Sequence, residues 1–250
     1  MNVAYYMCAI LLIYSLTAAA QDCRELLDSG DVHYRKFEDS KALEFYKKAM
    51  KLCPGTYEPL MKTTRAYNDV GEDVGGKASI GWFKTAMQYT DTMQKLYPDS
   101  LQSYFLKAAA AGNLALSSGG RTKVELARTV ERNSKKAIAI DSSYAPAHVV
   151  LGVYYRQVAT AGKFLRTMAH VFYGGIPAGT LKDSERELRK ALALEPDNIF
   201  GHNELALTLY AMHGKKEAVA ELEKVLALPD KDNESEKIKK QARANLRKWR

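Results

Sequence analysis

The chain has 250 residues and a formal net charge of +8, and 46% of its residues are hydrophobic, which is enough to build a core. Seven prolines and sixteen glycines exclude collagenous and compositionally disordered classes. Acidic residues are interspersed with the basic ones, so the modest positive charge is weak evidence for an anionic partner.

Residues 1–20 contain no charged side chain. Their apolar run, residues 9–16, is too short to span a bilayer as a helix, and Ala18-Ala19-Ala20 supplies an A-x-A site before Gln21. We expect a signal peptide over residues 1–20 and export of the mature chain to a periplasmic or extracellular space, without later membrane contact. A buried first helix is the alternative, which the lack of Lys or Arg near Met1 favours.

The ends of the predicted helical hairpins recur along the chain. Apolar helical patterns stop at Cys53-Pro54, Tyr97-Pro98, Asp141-Ser142, Glu195-Pro196 and Pro229-Asp230. Counted from residues 54, 98, 142, 196 and 230, the intervals are 44, 44, 54 and 34 residues. Because 34 residues is the period of the helix–turn–helix tetratricopeptide repeat (TPR), the intervals indicate five such repeats, with extra residues in the second, third and fourth.

We therefore predict an all-α fold, a right-handed superhelical TPR solenoid of five helix–turn–helix repeats plus a C-terminal capping helix, as one domain over residues 21–250. Ile238, Ala242 and Leu246 form one stripe of a polar helix that suits the end of a solenoid. The repeats are expected at about residues 23–56, 57–100, 101–144, 145–198 and 199–232, and the capping helix at 234–249.

The extra residues fall between the two helices of repeats two, three and four, and they contain Gly75-Gly76, Gly119-Gly120 and Gly174-Gly175. Such insertions either mark a binding face or only lengthen helices and turn corners. The longest one carries an apolar stripe beside basic residues. The stripe includes Phe164, Leu165, Met168 and Phe172. Three interpretations of it are open: it packs on the solenoid as a lid, it contacts a partner, or it contacts a membrane surface.

The pattern Leu151-Gly152-x-x-Tyr155, with Ala191 and Pro196, resembles the TPR family over essentially all of residues 23–230. A narrower resemblance rests on Arg65-Ala66-Tyr67, HVVLGVYYRQVA and FLRTMAHVFYGGIPAGTLKDSERELRKALALEPDN. These segments are similar to the regulator-of-microtubule-dynamics group and its bacterial exported relatives, in which an apolar insertion also interrupts a repeat. The familiar eukaryotic members are organelle-associated, whereas this chain has a predicted export signal, so a microtubule role is not carried over.

The first helix of each repeat lines the concave surface of a TPR array, and the family pattern directs particular side chains of these helices inward. Amides, aromatic rings and cations there suit an extended peptide, because Asn can bond its backbone and Arg a carboxylate. We predict a groove for a peptide or protein partner, lined by Lys62, Arg65, Asn68, Phe105, Asn113, Arg156, Asn203 and Tyr210.

No pattern indicates a reaction, a cofactor or a metal. Residues 71–79 nearly match a phosphate loop, but Ala78 lacks the hydroxyl for Mg²⁺ and no strand precedes the loop. His148 and His202 occupy equivalent positions that suit the edge of a core, and Glu187 is expected on a solvated face. The basic C-terminal run has no interleaved aromatic platform, so nucleic-acid binding is not predicted.

Cys23 and Cys53 lie at the ends of the first predicted hairpin that an antiparallel arrangement brings side by side. A disulfide between them would stabilise the fold by about 3–4 kcal/mol in the chain-entropy model. Two unpaired thiols, packed as small hydrophobic side chains, are the other possibility.

The sequence thus predicts an exported, non-catalytic TPR scaffold or adaptor with a protein or peptide partner and no cofactor. The alternative is a small-ligand-binding accessory protein, for instance one serving a transport system, with residues 164–177 as a lid over a cavity.

Overall fold

The structure is a computed structural model that describes residues 20–162, 170, 179–230 and 233–250. Those residues form α-helices joined by short turns, with a 3₁₀ turn at Gly76–Ser79. The first helix, α1, covers residues 20–34. The helices that follow are α2 (Asp39–Leu52), α3 (Tyr57–Val74), α4 (Ile80–Leu96), α5 (Leu101–Leu116), α6 (Gly120–Ile140), α7 (Ala145–Ala159), α8 (Leu181–Leu194), α9 (Ile199–Ala211), α10 (Lys215–Ala227) and α11 (Asn233–Trp249).

The helices are arranged as five helical hairpins followed by α11. Each hairpin consists of an odd-numbered helix and the even-numbered helix after it, and from α3 onward the first helix of a hairpin also contacts the first helix of the next. This stacking of hairpins is that of a TPR solenoid, so the predicted fold class is confirmed.

The hairpin ends predicted from the sequence fix a packing register that all five second helices share. Five residues before each end, the side chain is 0% exposed, and eight residues before each end it is again 0% exposed. The first set is Ala49, Met93, Ala137, Ala191 and Val225, and the second is Tyr46, Thr90, Ser134, Leu188 and Leu222. The extra residues of repeats two to four therefore precede these positions and leave the register unchanged.

A small residue on each first helix lets the second helix approach closely. In repeat four this residue is Gly152, where an added Cβ would lie 2.6 Å from Leu188 Cγ and 3.2 Å from the Ser184 carbonyl oxygen. The equivalent residues of the other repeats are all buried, namely Gly30, Thr64, Ala108 and Ala206. The helix spacing of the hairpins thus depends on side-chain size at one repeated position.

The extra residues of repeats two and three mainly lengthen helices. α3 and α4 have 18 and 17 residues and α5 and α6 have 16 and 21, whereas α9 and α10 have 13 each. Gly75, Gly76 and Gly120 have φ angles of 63°, 59° and 52° at the corners, which glycine adopts without steric cost. In these two repeats the extra residues therefore extend helices and turn corners. The Gly174-Gly175 pair lies outside the described residues.

The last helix connects the end of the chain to its beginning. The apolar stripe of α11, which includes Ile238 and Leu246, joins the core of repeat five, and the Trp249 ring stacks on Tyr210 with centroids 4.0 Å apart. The first turn of α11 reaches α3 and the α1–α2 turn, where Asn233 Nδ2 donates to the Phe37 carbonyl oxygen at 2.8 Å. The inner helices α3, α5, α7, α9 and α11 therefore contact one another in a closed circuit.

Candidate interaction surface

The predicted concave cations of repeat two have intramolecular partners. Lys62 Nζ donates to both carboxylate oxygens of Asp31, at 2.7 and 2.5 Å, and its side chain is only 12% exposed. Burial alone would raise the pKa of Asp31, but hydrogen bonds from Lys62 and Tyr46 hold it below its ordinary value. The Arg65 guanidinium lies 4.0 Å from the centre of the Tyr34 ring. These contacts attach α3 to the first hairpin.

Two predicted groove amides meet at the junction of α3 and α5. Asn68 Nδ2 donates to Glu72 Oε1 at 2.9 Å, and Asn113 Nδ2 donates to the same oxygen at 2.6 Å. Asn113 Nδ2 also lies 3.4 Å from Asn68 Oδ1. The amides that could bond a peptide backbone are thus ordered by Glu72.

A second polar junction joins repeats four and five. Arg156 forms an ion pair with Glu204, and both side chains are largely buried. Asn203 Nδ2 donates to Glu204 Oε1 at 3.3 Å. Asn203 is 2% exposed, and its Oδ1 and the Arg156 Nε have no hydrogen-bond partner among the described residues. Burial without a partner is costly for such atoms, so this junction has unused bonding capacity.

The two aromatic groove residues differ in exposure. Phe105 packs edge-on against Tyr144 with ring centroids 5.2 Å apart, which makes it part of the contact between repeats three and four. Tyr210, stacked on Trp249, remains 42% exposed. Of the eight predicted groove side chains, Tyr210 is therefore the one that presents a large exposed surface, while the others contact neighbouring helices.

A buried carboxyl group lies beside the polar junction of repeat two. Burial, followed by the negative charge of Glu72, raises the pKa of Asp69 well above its ordinary value, and Arg65 only partly opposes this. One carboxyl oxygen of Asp69, Oδ2, has no hydrogen-bond partner within residues 20–162, 170, 179–230 and 233–250. Asp69, at the α3 end of the inner surface, therefore binds its proton more tightly than an ordinary aspartate does.

Glu187 is not on a solvated face, contrary to the sequence prediction. It is buried, and its Oε2 lies 2.7 Å from His148 Nδ1, while His148 Nε2 lies 3.0 Å from the Ser142 carbonyl oxygen. The Glu187 bond raises the pKa of His148. Burial alone would raise the pKa of Glu187, but bonds from His148 and Arg186 hold it below its ordinary value.

Repeat five contains the same arrangement. His202 Nδ1 lies 2.5 Å from Glu221 Oε2, and His202 Nε2 lies 2.8 Å from the Pro196 carbonyl oxygen. Both nitrogens of each ring face acceptor atoms, so each imidazole bridges a carboxylate of the second helix and a backbone carbonyl oxygen. The raised pKa of His148 favours its doubly protonated form beside Glu187. These pairs join the two helices of repeats four and five.

Cys23 and Cys53 are neighbours that are not joined by a disulfide. Cys23 is buried and Cys53 is partly buried. Burial and a hydrogen bond with Cys53 raise the pKa of Cys23 to about 12. The two side chains are therefore close together, and the Cys23 thiol is protonated at neutral pH.

Two predicted features lie outside the described residues: residues 1–19 of the signal peptide and the insertion stripe of Phe164, Leu165, Met168 and Phe172. In the part of the chain that the structure describes, no three His, Cys, Asp or Glu side chains are placed to hold a metal ion. None of the helices in that part is long and apolar enough to cross a membrane.

Two open clefts, each of about 520 Å³, lie where a helix of the inner circuit meets outer helices. One is between α2, α3 and α4 and includes Tyr67 and Trp82, and the other is between α8, α9 and α10 and includes Arg189 and Lys224. Neither has the enclosed apolar shape typical of a small-ligand cavity.

Comparison with known proteins identifies the family. The sequence profile of regulator of microtubule dynamics protein 1-3 matches residues 26–250. The chain belongs to this family. A similar curated protein is regulator of microtubule dynamics protein 1 of Bos taurus, which is 23% identical over 97% of this chain and 77% of its own length. The resemblance stated from the sequence, to TPR proteins and within them to the regulator-of-microtubule-dynamics group, is confirmed.

Solved structures support the fold of this family member. A thermophilic TPR protein of Thermus thermophilus superimposes with a TM-score of 0.65 and 21% identity, covering 89% of this chain and 99% of that protein. MamA of Desulfovibrio magneticus gives a TM-score of 0.50 and 17% identity, covering 83% and 94%. At these identities the likeness shows a shared TPR solenoid.

Proposed function

We propose that this protein is an exported, non-catalytic adaptor that binds an extended segment of a partner protein on the inner face of its solenoid. TPR solenoids are interaction scaffolds whose stacked hairpins create an extended concave surface. The observation that carries the proposal is the composition of that surface, where amide, guanidinium and phenol groups lie on consecutive inner helices without a catalytic or metal-binding arrangement among the described residues.

The polar junctions supply the bonding groups that a peptide needs. Asn68 and Asn113 can exchange their bonds with Glu72 for bonds to a peptide backbone. Between repeats four and five, Arg156 and Asn203 each have a buried polar atom with no partner in the part of the chain that the structure describes. Tyr210 adds an exposed aromatic surface at the end of the array. A partner that follows the inner helices could engage all three regions.

Binding is tested by affinity purification of the tagged full chain from its native extracellular or periplasmic fraction. The double variant Arg65→Ala/Asn113→Ala is expected to lose the partners that the unaltered protein retains, because it removes an inner cation and an inner amide. Lys84→Ala, an exposed change on α4, is the matched control and is expected to retain them. Equal recovery by both variants contradicts binding on the inner face.

Export is tested separately by N-terminal sequencing of the native protein. Cleavage after the A-x-A site predicts Gln21 as the first residue. A native protein that still begins at Met1 and remains inside the cell contradicts export while leaving the adaptor proposal in place.

A further inference from the structure

The junction of α7 and α9 has one hydrogen-bond donor and one acceptor left over. Glu204 binds the other polar groups there, because its Oε2 pairs with Arg156 and its Oε1 accepts from Asn203 Nδ2 at 3.3 Å. A carboxylate only accepts hydrogen bonds, so it fixes the Asn203 amide with Oδ1 turned away. The Arg156 Nε–H and the Asn203 Oδ1 have no partner in the described part of the chain. Since both side chains contact one carboxylate, these two atoms lie near each other.

One donor beside one acceptor matches the main chain of an extended peptide residue. In a β-strand the N–H and the C=O of one residue point to the same side, so that two paired residues can exchange two hydrogen bonds. The N–H of a partner residue can donate to Asn203 Oδ1 while its C=O accepts from Arg156 Nε. Arg156 and Glu204 balance each other's charge, so a charged ligand group would be buried here without a counter-ion. The junction therefore favours an uncharged segment.

Partly buried side chains next to the junction control access to it. Val153 lies three residues before Arg156, one turn away on α7. Leu207 lies four residues after Asn203, one turn away on α9. Both pack against the core of repeats four and five without being fully buried. The Asn203 Oδ1 and the Arg156 Nε are shielded from solvent, so a partner reaches them after a change of side-chain rotamers, which is common at interfaces.

Two exposed aromatic side chains lie on α9, one on each side of the junction. Phe200 is three residues before Asn203 and Tyr210 is seven residues after it, so the three share one face of the helix. Phe200 is 41% exposed and Tyr210 is 42% exposed. Ten residues of helix separate the two rings by about 15 Å. In an extended segment, side chains four residues apart point the same way and are about 13 Å apart. A segment that runs along α9 can therefore place one apolar side chain on each ring.

We propose that the inner face of repeats four and five binds an uncharged, extended segment of the partner that carries two large apolar side chains four residues apart. The main chain of a residue between them bonds to Arg156 and Asn203, and the two side chains pack on Phe200 and Tyr210. This inference rests on the proposed function and specifies the chemistry of the partner. The main-chain bonds fix the position of the segment, and the apolar side chains select its sequence.

Selection from a library of random peptides displayed to the full chain tests the sequence preference. The enriched peptides should share two large apolar residues four positions apart, with uncharged residues between them. Enrichment of charged residues at the intervening positions, of apolar pairs at another spacing, or of no peptide at all overturns the inference.

Variants of the full chain locate the groups that bind an enriched peptide. Asn203→Leu removes the acceptor, and Arg156→Lys keeps a cation beside Glu204 but removes Nε. Each should weaken binding about fivefold or more, as expected for the loss of one hydrogen bond. Tyr210→Ser removes one aromatic contact and should weaken binding about tenfold or more. Thermal unfolding checks that each variant is folded.

Lys216→Ala, an exposed change on the outer helix α10 of the same repeat, is the matched control. It should bind the peptide as the unaltered protein does. Equal binding by this control and by all three site variants overturns the inference.

An ester in the peptide tests the main-chain bond directly. Each amide between the two apolar residues is replaced in turn by an ester, which removes one N–H without adding bulk. At one position the ester should weaken binding to the unaltered protein about fivefold or more. The same ester should hardly affect binding to Asn203→Leu, which lacks the acceptor. If every ester has the same effect on both proteins, the main-chain bond to Asn203 is wrong.

Recovery of partners from the native fraction separates this inference from the proposed function. If Arg65→Ala/Asn113→Ala loses a partner that Asn203→Leu and Tyr210→Ser retain, the proposed function stands and this inference fails. If the enriched peptides behave as expected but no native protein is retained through the inner face, the peptide site stands and the proposed function fails.

Discussion

The buried pair of His148 and Glu187 provides the sharpest stability prediction. In His148→Leu the cation is removed and the Glu187 carboxylate is left buried, with Arg186 Nε at 3.1 Å and Lys190 Nζ at 3.6 Å as its remaining charged neighbours. Leucine suits the site sterically because Leu60 occupies the equivalent position of repeat two and is buried there. The stability lost in His148→Leu therefore reflects the broken charge pair more than a change in packing.

The expected loss in the free energy of unfolding follows from the burial of both side chains, since His148 is 4% exposed and Glu187 is 7% exposed. Breaking a buried ion pair on one side costs about 3–5 kcal/mol, and the two remaining cations place His148→Leu near the lower value. The double variant His148→Leu/Glu187→Leu replaces both charges by apolar groups and should cost about 1 kcal/mol or less. The two changes should thus be non-additive by about 2 kcal/mol.

The coupling free energy between His148 and Glu187 should depend on pH. The pKa of His148 is raised, so its contribution is complete below its ordinary value of 6.5 and is lost as the pH rises through the folded value. The pKa of Glu187 is lowered, so its contribution is complete above 4.5 and is lost as the pH falls through the folded value. The coupling should therefore be largest between about pH 4.5 and 6.5.

The coupling free energy is measured with a double-mutant cycle of His148→Leu and Glu187→Leu, by urea denaturation followed by circular dichroism at pH 5.5 and 9. The exposed Glu185–Arg189 pair on the same helix, 2.8 Å apart, serves as the control and should show coupling below about 0.5 kcal/mol. A coupling free energy for His148 and Glu187 no larger than the control at pH 5.5, or one that does not decline at pH 9, refutes the buried ion pair.

Three further changes test the packing, the first hairpin and a helix cap. Gly152→Ala should lower the free energy of unfolding by about 1–3 kcal/mol because its Cβ meets Leu188, and this cost should be smaller in a Leu188→Ala background, which lacks the clashing side chain. Oxidation should join Cys23 and Cys53, with a mass decrease of about 2 Da and a gain of about 3–4 kcal/mol over the reduced protein, whereas unchanged mass under oxidant contradicts their adjacency. Thr180→Ala should cost about 1 kcal/mol by removing the capping box of α8, and Thr180→Ser should not.

The repeated hairpins could be predicted from sequence because their signals are local. The proline-marked hairpin ends and the small residues at the crossings, such as Gly152, repeat with the period of the unit. Packing then preserves the register, as the buried Ala49 and Val225 show at opposite ends of the array. The same register placed the predicted groove residues on the inner helices.

Glu187 was assigned wrongly because a charged residue on an amphipathic helix was expected to face solvent. The signal that could have corrected this is the repeat itself. Glu187 and Glu221 each lie nine residues before a hairpin end, and His148 and His202 each lie six residues after one. A histidine–glutamate pair recurring at equivalent positions of repeats four and five indicates a contact between helices.

The closure of the circuit could not be predicted, because it depends on the curvature summed over all repeats. Asn233 and Phe37 are 196 residues apart, and no local pattern links them. The intramolecular partners of the groove residues were missed for the same reason, since the Asn113–Glu72 bond depends on how two hairpins stack.

Site-specific photocrosslinking tests the central claim, a protein partner on the inner face, most directly. A photoreactive phenylalanine analogue at Tyr210, the exposed inner aromatic residue, is compared with the same analogue at Lys84 on the outside of α4, in the full chain within its native compartment. The account predicts one protein adduct from Tyr210, which Arg65→Ala/Asn113→Ala abolishes, and no such adduct from Lys84. Adducts from Lys84 alone, or none from Tyr210, would contradict it.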